Sequence, residues 1–188
     1  YLSFYDKYPL IQQLVQNHVE QANLSTEDYD FRIRATYAYV PHKGSVPLVT
    51  EPMMLAVPDE FPLASRKNAD LIEAAGYPFI ASDNLSFMED VCQMAGFQPN
   101  VIMQCDNGNN FRTVLQAGIG CSILPKYTLV DYLPENIRAI PFSNPQVERT
   151  IVLSWNPSRQ MTEAAKLFLG ELLRYVSRAR NQWGDSPE

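Results

Sequence analysis

Three short polar patches hold the residues whose types and spacing suit chemistry. Arg34, Ala35 and Thr36 follow "DFRI". Ser82, Asp83, Asn84 and Ser86 follow "YPFIA", and Asp106, Asn107, Asn109 and Asn110 follow "VIMQC". Hydroxyls, carboxamides and a guanidinium group bind polar ligands. Two of the patches also run straight into helical patterns, where unpaired backbone amides and the helix dipole favour an anion or a carbonyl oxygen. Helix capping accounts for the same residues one by one: Ser86 with Glu89 reads as a capping box, and Asn109 or Asn110 caps equally well. The convergence of three such patches is what points to a ligand.

Covalent and metal chemistry find less support. His18 and His42 are the only histidines, and neither stands by a Cys or Ser in a nucleophile pattern. There is no His-x-x-x-His or Cys/His cluster of metal-ligand spacing. "GIG" at 118–120 closes a helical pattern instead of opening one, so it is no dinucleotide fingerprint, and a P-loop is absent. Gly118 and Gly120 instead end the helix and return the chain tightly to a sheet. Asp83 and Asp106 are candidates for paired carboxylates, but no acid–base partner accompanies them. The expectation is a binding protein with no enzymatic activity, no cofactor and no metal. Cys92, Cys105 and Cys121 are an odd, widely spaced set, which fits a reducing compartment and buried thiols. A redox pair of Cys105 and Cys121 requires their strands to be neighbours.

The elements that position these patches follow from periodicity. Strands are expected at 10–16, 30–37, 77–82, 100–105, 121–125 and 149–155, with an extended run at 47–58. Helices are expected at 17–28 (Asn17 and Glu20 capping), 70–76 (stopped by Gly76), 84–97, 109–118 and 161–179. On strand 30–37 the alternation assigns Phe31 and Ile33 to the core and turns Arg32 outward. Strand and helix in short alternation predict an α/β fold with a parallel sheet, and such sheets bind ligands at the carboxyl ends of their strands.

Composition narrows the classes further. A chain of 188 residues with 46% hydrophobic and 19% charged residues makes one folded domain or two small subdomains. Fifteen Lys and Arg against 21 Asp and Glu leave a net charge of −6 and no basic run, which makes the chain a poor binder of a nucleic-acid phosphate backbone on its own. No apolar run reaches the roughly 18–20 residues of a membrane span. No signal-peptide pattern is present, and "YLSFYDKYP" opens mid-pattern, as if more chain precedes it.

The segments "FYDKYP", "DFRI", "LVTEPMMLAVPDEFPLA", "YPFIAS", "VCQMAGFQP", "VLQAGIGCSILP" and "MTEAAKLFLGELL" resemble, in order and spacing, the effector-binding domain of LysR-type transcriptional regulators. Each is weak alone; together they cover nearly the whole chain. The resemblance implies a fold like type 2 periplasmic binding proteins: two Rossmann-like subdomains, 1–57 with 152–188 and 58–151, joined by two crossover strands at 53–58 and 150–155. It further implies a small-molecule effector, an organic acid or polar metabolite, in the cleft between them. Its contacts would be Arg34, Ala35, Thr36, Ser82, Asp83, Asn84, Ser86, Asn107, Asn109 and Asn110.

The resemblance also implies a homodimer or homotetramer in the bacterial cytoplasm, with promoter DNA bound only through an amino-terminal helix-turn-helix ahead of Tyr1. The family's opening strand and the first half of the next helix would lie there too. A free-standing solute-binding protein of the same fold and a small transferase or hydrolase are the rival readings.

Overall fold

A computed structural model describes residues 2–14, 29–82, 84–127 and 133–183. The chain divides into two compact units, Tyr1–Thr50 with Thr150–Glu188, and Glu51–Arg149. It passes from one to the other at Thr50–Glu51 and returns at Arg149–Thr150.

In the first unit, β1 (Arg32–Thr36) pairs antiparallel with β7 (Glu148–Ser154), from Arg32 opposite Ser154 to Thr36 opposite Thr150. β7 is also hydrogen-bonded to β2 (Ser45–Pro58). Aromatic rings fill the space between sheet and helices. Phe168 of the long helix α4 (Glu163–Trp183) packs against Phe31 at 5.5 Å and edge-on against Phe4 of α1 (Leu2–Lys7) at 5.3 Å. Trp155 meets Phe31 at 6.4 Å. Lys7 and Glu171 form an ion pair from α1 to α4, and Thr162 caps α4 by accepting the Ala165 amide at 3.1 Å.

The expected alternation on β1 does not appear. Phe31 is covered, but by Trp155 and Phe168 just ahead of the strand; Ile33 is 43% exposed and Arg32 half-buried. The reason is that β1 has a described strand neighbour on one side only, so few side chains are at hand to bury Ile33.

In the second unit, the latter half of β2 runs between β5 (Ser122–Pro125) and β6 (Ile137–Pro141), antiparallel to both. β3 (Pro78–Ala81) lies parallel to β4 (Asn100–Gln104), and on its other side Phe79 bridges in parallel to Cys121. Helix α2 (Leu85–Met94) follows β3, and α3 (Gly108–Gln116) follows β4. Leu55, Val57, Leu71, Phe79, Val91, Cys92 and Cys121 form one buried cluster; Ile80, Cys105, Phe111 and Leu115 belong to a second. The return to the sheet at Gly120 is tight enough to require glycine. A Cβ there would stand 2.9 Å from the Pro78 carbonyl oxygen, because the Cys121 amide donates to that oxygen at 2.8 Å.

The parallel expectation therefore holds for β3, β4 and the bridge to Cys121, whereas the described pairings of β1 and of β2 with β5 and β6 are antiparallel. Residues 70–76 hold one 3-10 turn, Leu71–Ala74, in place of a helix; its start is closed by the Glu73 carboxylate accepting the Asp70 amide at 2.9 Å. The expected strand at 10–16 shows no strand over 10–14, where Leu10 and Leu14 are exposed; 15–16 and the expected helix 17–28, with Asn17 and His18, lie outside the described residues. α1 and β6 were not expected.

Candidate functional site

The second unit brings two of the three polar patches to one edge. Ala81 of β3 stands opposite Gln104 of β4, and the Cys105 amide donates to the Ala81 carbonyl at 2.9 Å, so both strands finish level. Neighbouring strands lie about 4.8 Å apart, which sets the polar run after β3 beside the one after β4.

On the β3 side, Ser82 is half-buried and Asn84 exposed, while Asp83 lies outside the described residues. Asn84 is the N-cap of α2, and its side chain makes no capping bond to the helix. Ser86 is exposed in the first turn, so the expected capping box with Glu89 is not formed; the helix starts at Leu85, two residues too early for it.

On the β4 side, Asn107 is the N-cap of α3, and its Oδ1 accepts the Asn110 amide at 2.9 Å. The expectation of Asn109 or Asn110 as cap is corrected by the helix beginning at Gly108. Asn109 instead lies in the first turn, where its carbonyl accepts the Thr113 hydroxyl at 3.0 Å. Asp106 Oδ1 accepts from the Asn107 and Asn110 carboxamides at 2.9 and 3.3 Å. The positive end of α3 thus already has a carboxylate and a capping oxygen, an arrangement typically worth a few tenths to about 1 kcal/mol. The two helix starts differ in kind: α3 is closed by its own side chains, and α2 is not closed by its N-cap side chain.

The third patch belongs to the first unit. Arg34 and Ala35 are exposed on β1 opposite Val152 and Ile151; Thr36 ends the strand half-buried, its hydroxyl accepting the Ala38 amide at 3.3 Å. A separate shallow depression of about 530 Å³ in the second unit is lined by Asp59, Glu60, Phe61 and Arg138 among others, none of them an expected site residue. Its Asp59 and Arg138 are already paired at 2.7 Å.

The thiols do not form the redox pair. β3 lies between Cys105 and Cys121, with Cys105 bonded along one of its sides and Cys121 along the other. Two strand spacings come to about 9.5 Å, beyond the roughly 7 Å between Cα atoms that a disulfide spans. Burial pushes the Cys92 and Cys121 thiols up to about 12; Cys105 is also raised, by burial first and by the Asp106 charge second. Each is therefore protonated at neutral pH, and a thiol titrating near 12 is about one part in ten thousand thiolate at pH 8. Iodoacetamide at pH 8 is expected to leave Cys92 and Cys121 unmodified in the folded chain and to modify all three in urea, read by mass spectrometry; prompt labelling of either in the folded chain would contradict the burial.

One buried charge escaped the sequence reading. Glu51, 2% exposed, accepts Arg149 Nε at 2.8 Å and the Tyr127 amide at 2.7 Å. Its signal was there: it is the single charge in the apolar run "PLVTEPMMLAVP".

Among solved structures, this chain is similar to the C-terminal domain of a probable LysR family regulator from Rhodococcus sp. RHA1, with a TM-score of 0.70 and 23% identity over 94% of this chain and 89% of that one. It is also similar to the Synechocystis PCC6803 CcmR regulatory domain in complex with 2-PG, with a TM-score of 0.76 and 18% identity over 93% of this chain and 88% of that one. At these identities the likeness shows the fold. The family model for the LysR substrate binding domain matches residues 2–177. The chain belongs to the LysR substrate-binding domain family. A similar protein is the HTH-type transcriptional regulator YybE of Bacillus subtilis (strain 168), 29% identical over 182 residues. The alignment covers 93% of this LysR domain and 62% of YybE. Family and relative are those of transcriptional regulators, not enzymes. Among the described residues of this LysR domain, no helix is long and apolar enough to cross a membrane.

Proposed function

We propose that the chain is the effector-sensing part of a LysR-type regulator and that the β3–β4 carboxyl edge is where the effector binds. The observation that carries this reading is the pair of polar runs ending level on neighbouring parallel strands, each opening into a helix, within a LysR substrate-binding domain. Ser82, Asn84 and Ser86 at the α2 start and Asn107, Asn109 and Asn110 at the α3 start are the contacts of this reading. Asp83 belongs to the same run.

The edge sorts ligand groups by charge. At α3 the Asp106 carboxylate repels an anion and accepts from a hydroxyl or amine, whereas the backbone amides at the start of α2 suit a carboxylate or carbonyl. A polar metabolite carrying both kinds of group fits better than a plain dianion. Effector binding would shift a two-state equilibrium, by a coupling typically of about 1–3 kcal/mol. The regulator would be a cytoplasmic homodimer or homotetramer, reading DNA through a helix-turn-helix in the part of its relatives that this chain does not cover. The rival reading of a free-standing solute-binding protein has no regulator among its expected relatives.

Calorimetric titration of the chain with hydroxy acids, amino acids and polyols tests the site. One class is expected to bind at one per chain, and Ser82→Ala with Asn109→Ala to weaken it at least about tenfold, or 1.4 kcal/mol. Unaltered affinity in that double variant would remove these contacts. Asp106→Asn is expected to strengthen binding of an anionic ligand a few-fold, the more so at low salt.

A further inference from the structure

The depression in the second unit lies at the far end of the sheet from the β3–β4 carboxyl edge. Cys121, which leads into β5, bridges in parallel to Phe79 of β3, and β2 is antiparallel to β5. β2 therefore runs against β3 and ends, at Pro58, toward the amino end of β3. β6 begins there as well, with Ile137 opposite Pro58. Around the residues that follow Pro58, and Arg138 of β6, opens the hollow of about 530 Å³. Its aromatic wall, Phe61, is stacked on Tyr77 just ahead of β3, with ring centroids 4.9 Å apart.

Backbone bonds hold these walls in place. The Asp59 amide donates to the Asn136 carbonyl at 2.9 Å and the Phe61 amide to the Pro58 carbonyl at 3.0 Å. Pro62–Ser65 form a 3-10 turn closed by the Arg66 amide on the Leu63 carbonyl at 3.1 Å. The polar groups on that frame are complementary in kind. Arg138 engages Asp59 through Nε alone, at 2.7 Å, and a guanidinium carries four further N–H donors in a fork that fits a carboxylate. Glu60 is exposed and has no hydrogen-bond or ion-pair partner among the described residues. The Ser65 hydroxyl donates to the Pro62 carbonyl at 2.8 Å, which leaves its oxygen to accept.

From this set we propose that the depression is a second ligand site and that it takes a free amino acid with an uncharged side chain. The ligand carboxylate meets the Arg138 fork, its ammonium group meets the Glu60 carboxylate and the Ser65 oxygen, and its side chain covers the Phe61 ring. Asp59, beside Arg138, disfavours a second negative charge. The site shares no residue with the effector edge and does not depend on that reading. Exposed ion pairs contribute little, so the expected Kd is about 1–10 mM, and a site that weak adds little heat to the effector titration.

The measurement is an amide NMR titration of the whole nitrogen-15-labelled chain with L-valine, read at Glu60, Phe61, Ser65 and Arg138. Saturable shifts are expected at these amides. 3-Methylbutanoate, which lacks the amine, and 2-methylpropylamine, which lacks the carboxylate, are each expected to bind about fivefold more weakly or worse. Glu60→Gln and Arg138→Lys, which keeps a charge for Asp59 but loses the fork, are expected to weaken valine binding by about fivefold or more. Ser82→Ala with Asn109→Ala is expected to leave it at the wild-type value, which separates this site from the effector edge. Absence of saturable shifts up to roughly 50 mM valine overturns the proposal. So does equal affinity for valine and its amine-free analogue, or loss of valine binding in the Ser82 and Asn109 double variant.

Discussion

Phe79→Ala is expected to lower the stability of the chain by about 3–5 kcal/mol. Phe79 is fully buried in the short strand β3, where it pairs with Val101 of β4, bridges to Cys121 and packs against Phe97 at 6.0 Å. Its ring lies in a cluster with Leu55, Leu71, Cys92 and Ile123, and close-packed interiors refill such a void only in part. Urea unfolding followed by circular dichroism reads the loss, and the melting point should fall by roughly 2–4 °C per kcal/mol. The same variant should weaken ligand binding, because β3 carries Ser82 and holds β4 level with it. Phe79→Leu, which keeps most of the volume, is the control and should cost much less. A change under about 1 kcal/mol in the alanine variant would contradict the packing described here.

Gly44→Ala should be the costliest small change, at about 2–3 kcal/mol. Gly44 has a φ of +84°, a region L side chains rarely adopt, and a Cβ there would stand 2.6 Å from the Trp155 carbonyl oxygen and 3.0 Å from Pro157 Cδ. The chain cannot move aside freely, since the Trp155 amide donates to the Gly44 carbonyl at 2.8 Å. Trp155 also faces Phe31, so the disturbance reaches the aromatic cluster of the first unit. Urea midpoints of this variant and of Gly76→Ala, where an added Cβ meets nothing within 4 Å, should differ clearly; equal midpoints would refute the close approach.

How much of this was legible depended on the local signal. "YPFIAS" and "NVIMQC" are apolar runs bounded by polar residues and helices, and both became parallel strands within a residue or two of their expected limits. The strand at 10–16 rested on apolar content alone, and over 10–14 no strand forms. β6 was missed because its buried residues, Ile137 and Ile140, lie three apart and do not alternate. The long apolar helix near the chain's end was plain from its one-sided face, whereas α1 has no visible cap before it.

At the candidate site, composition located the polar runs but not their internal bonding. Whether Asn107, Asn109 or Asn110 caps α3 turns on where the helix begins, a matter of one residue that capping preferences do not resolve. Glu51 went unread because its meaning needs Arg149 and Tyr127, distant in sequence and brought together only by the fold.

The chain path is nested: the second unit is one uninterrupted stretch, while the first is split around it. During synthesis the inner unit has all of its residues before the outer one receives β7 and α4. The inner stretch enters and leaves beside a single ion pair, which makes it a cassette: its two ends are already held together, ready for transplantation into another host loop.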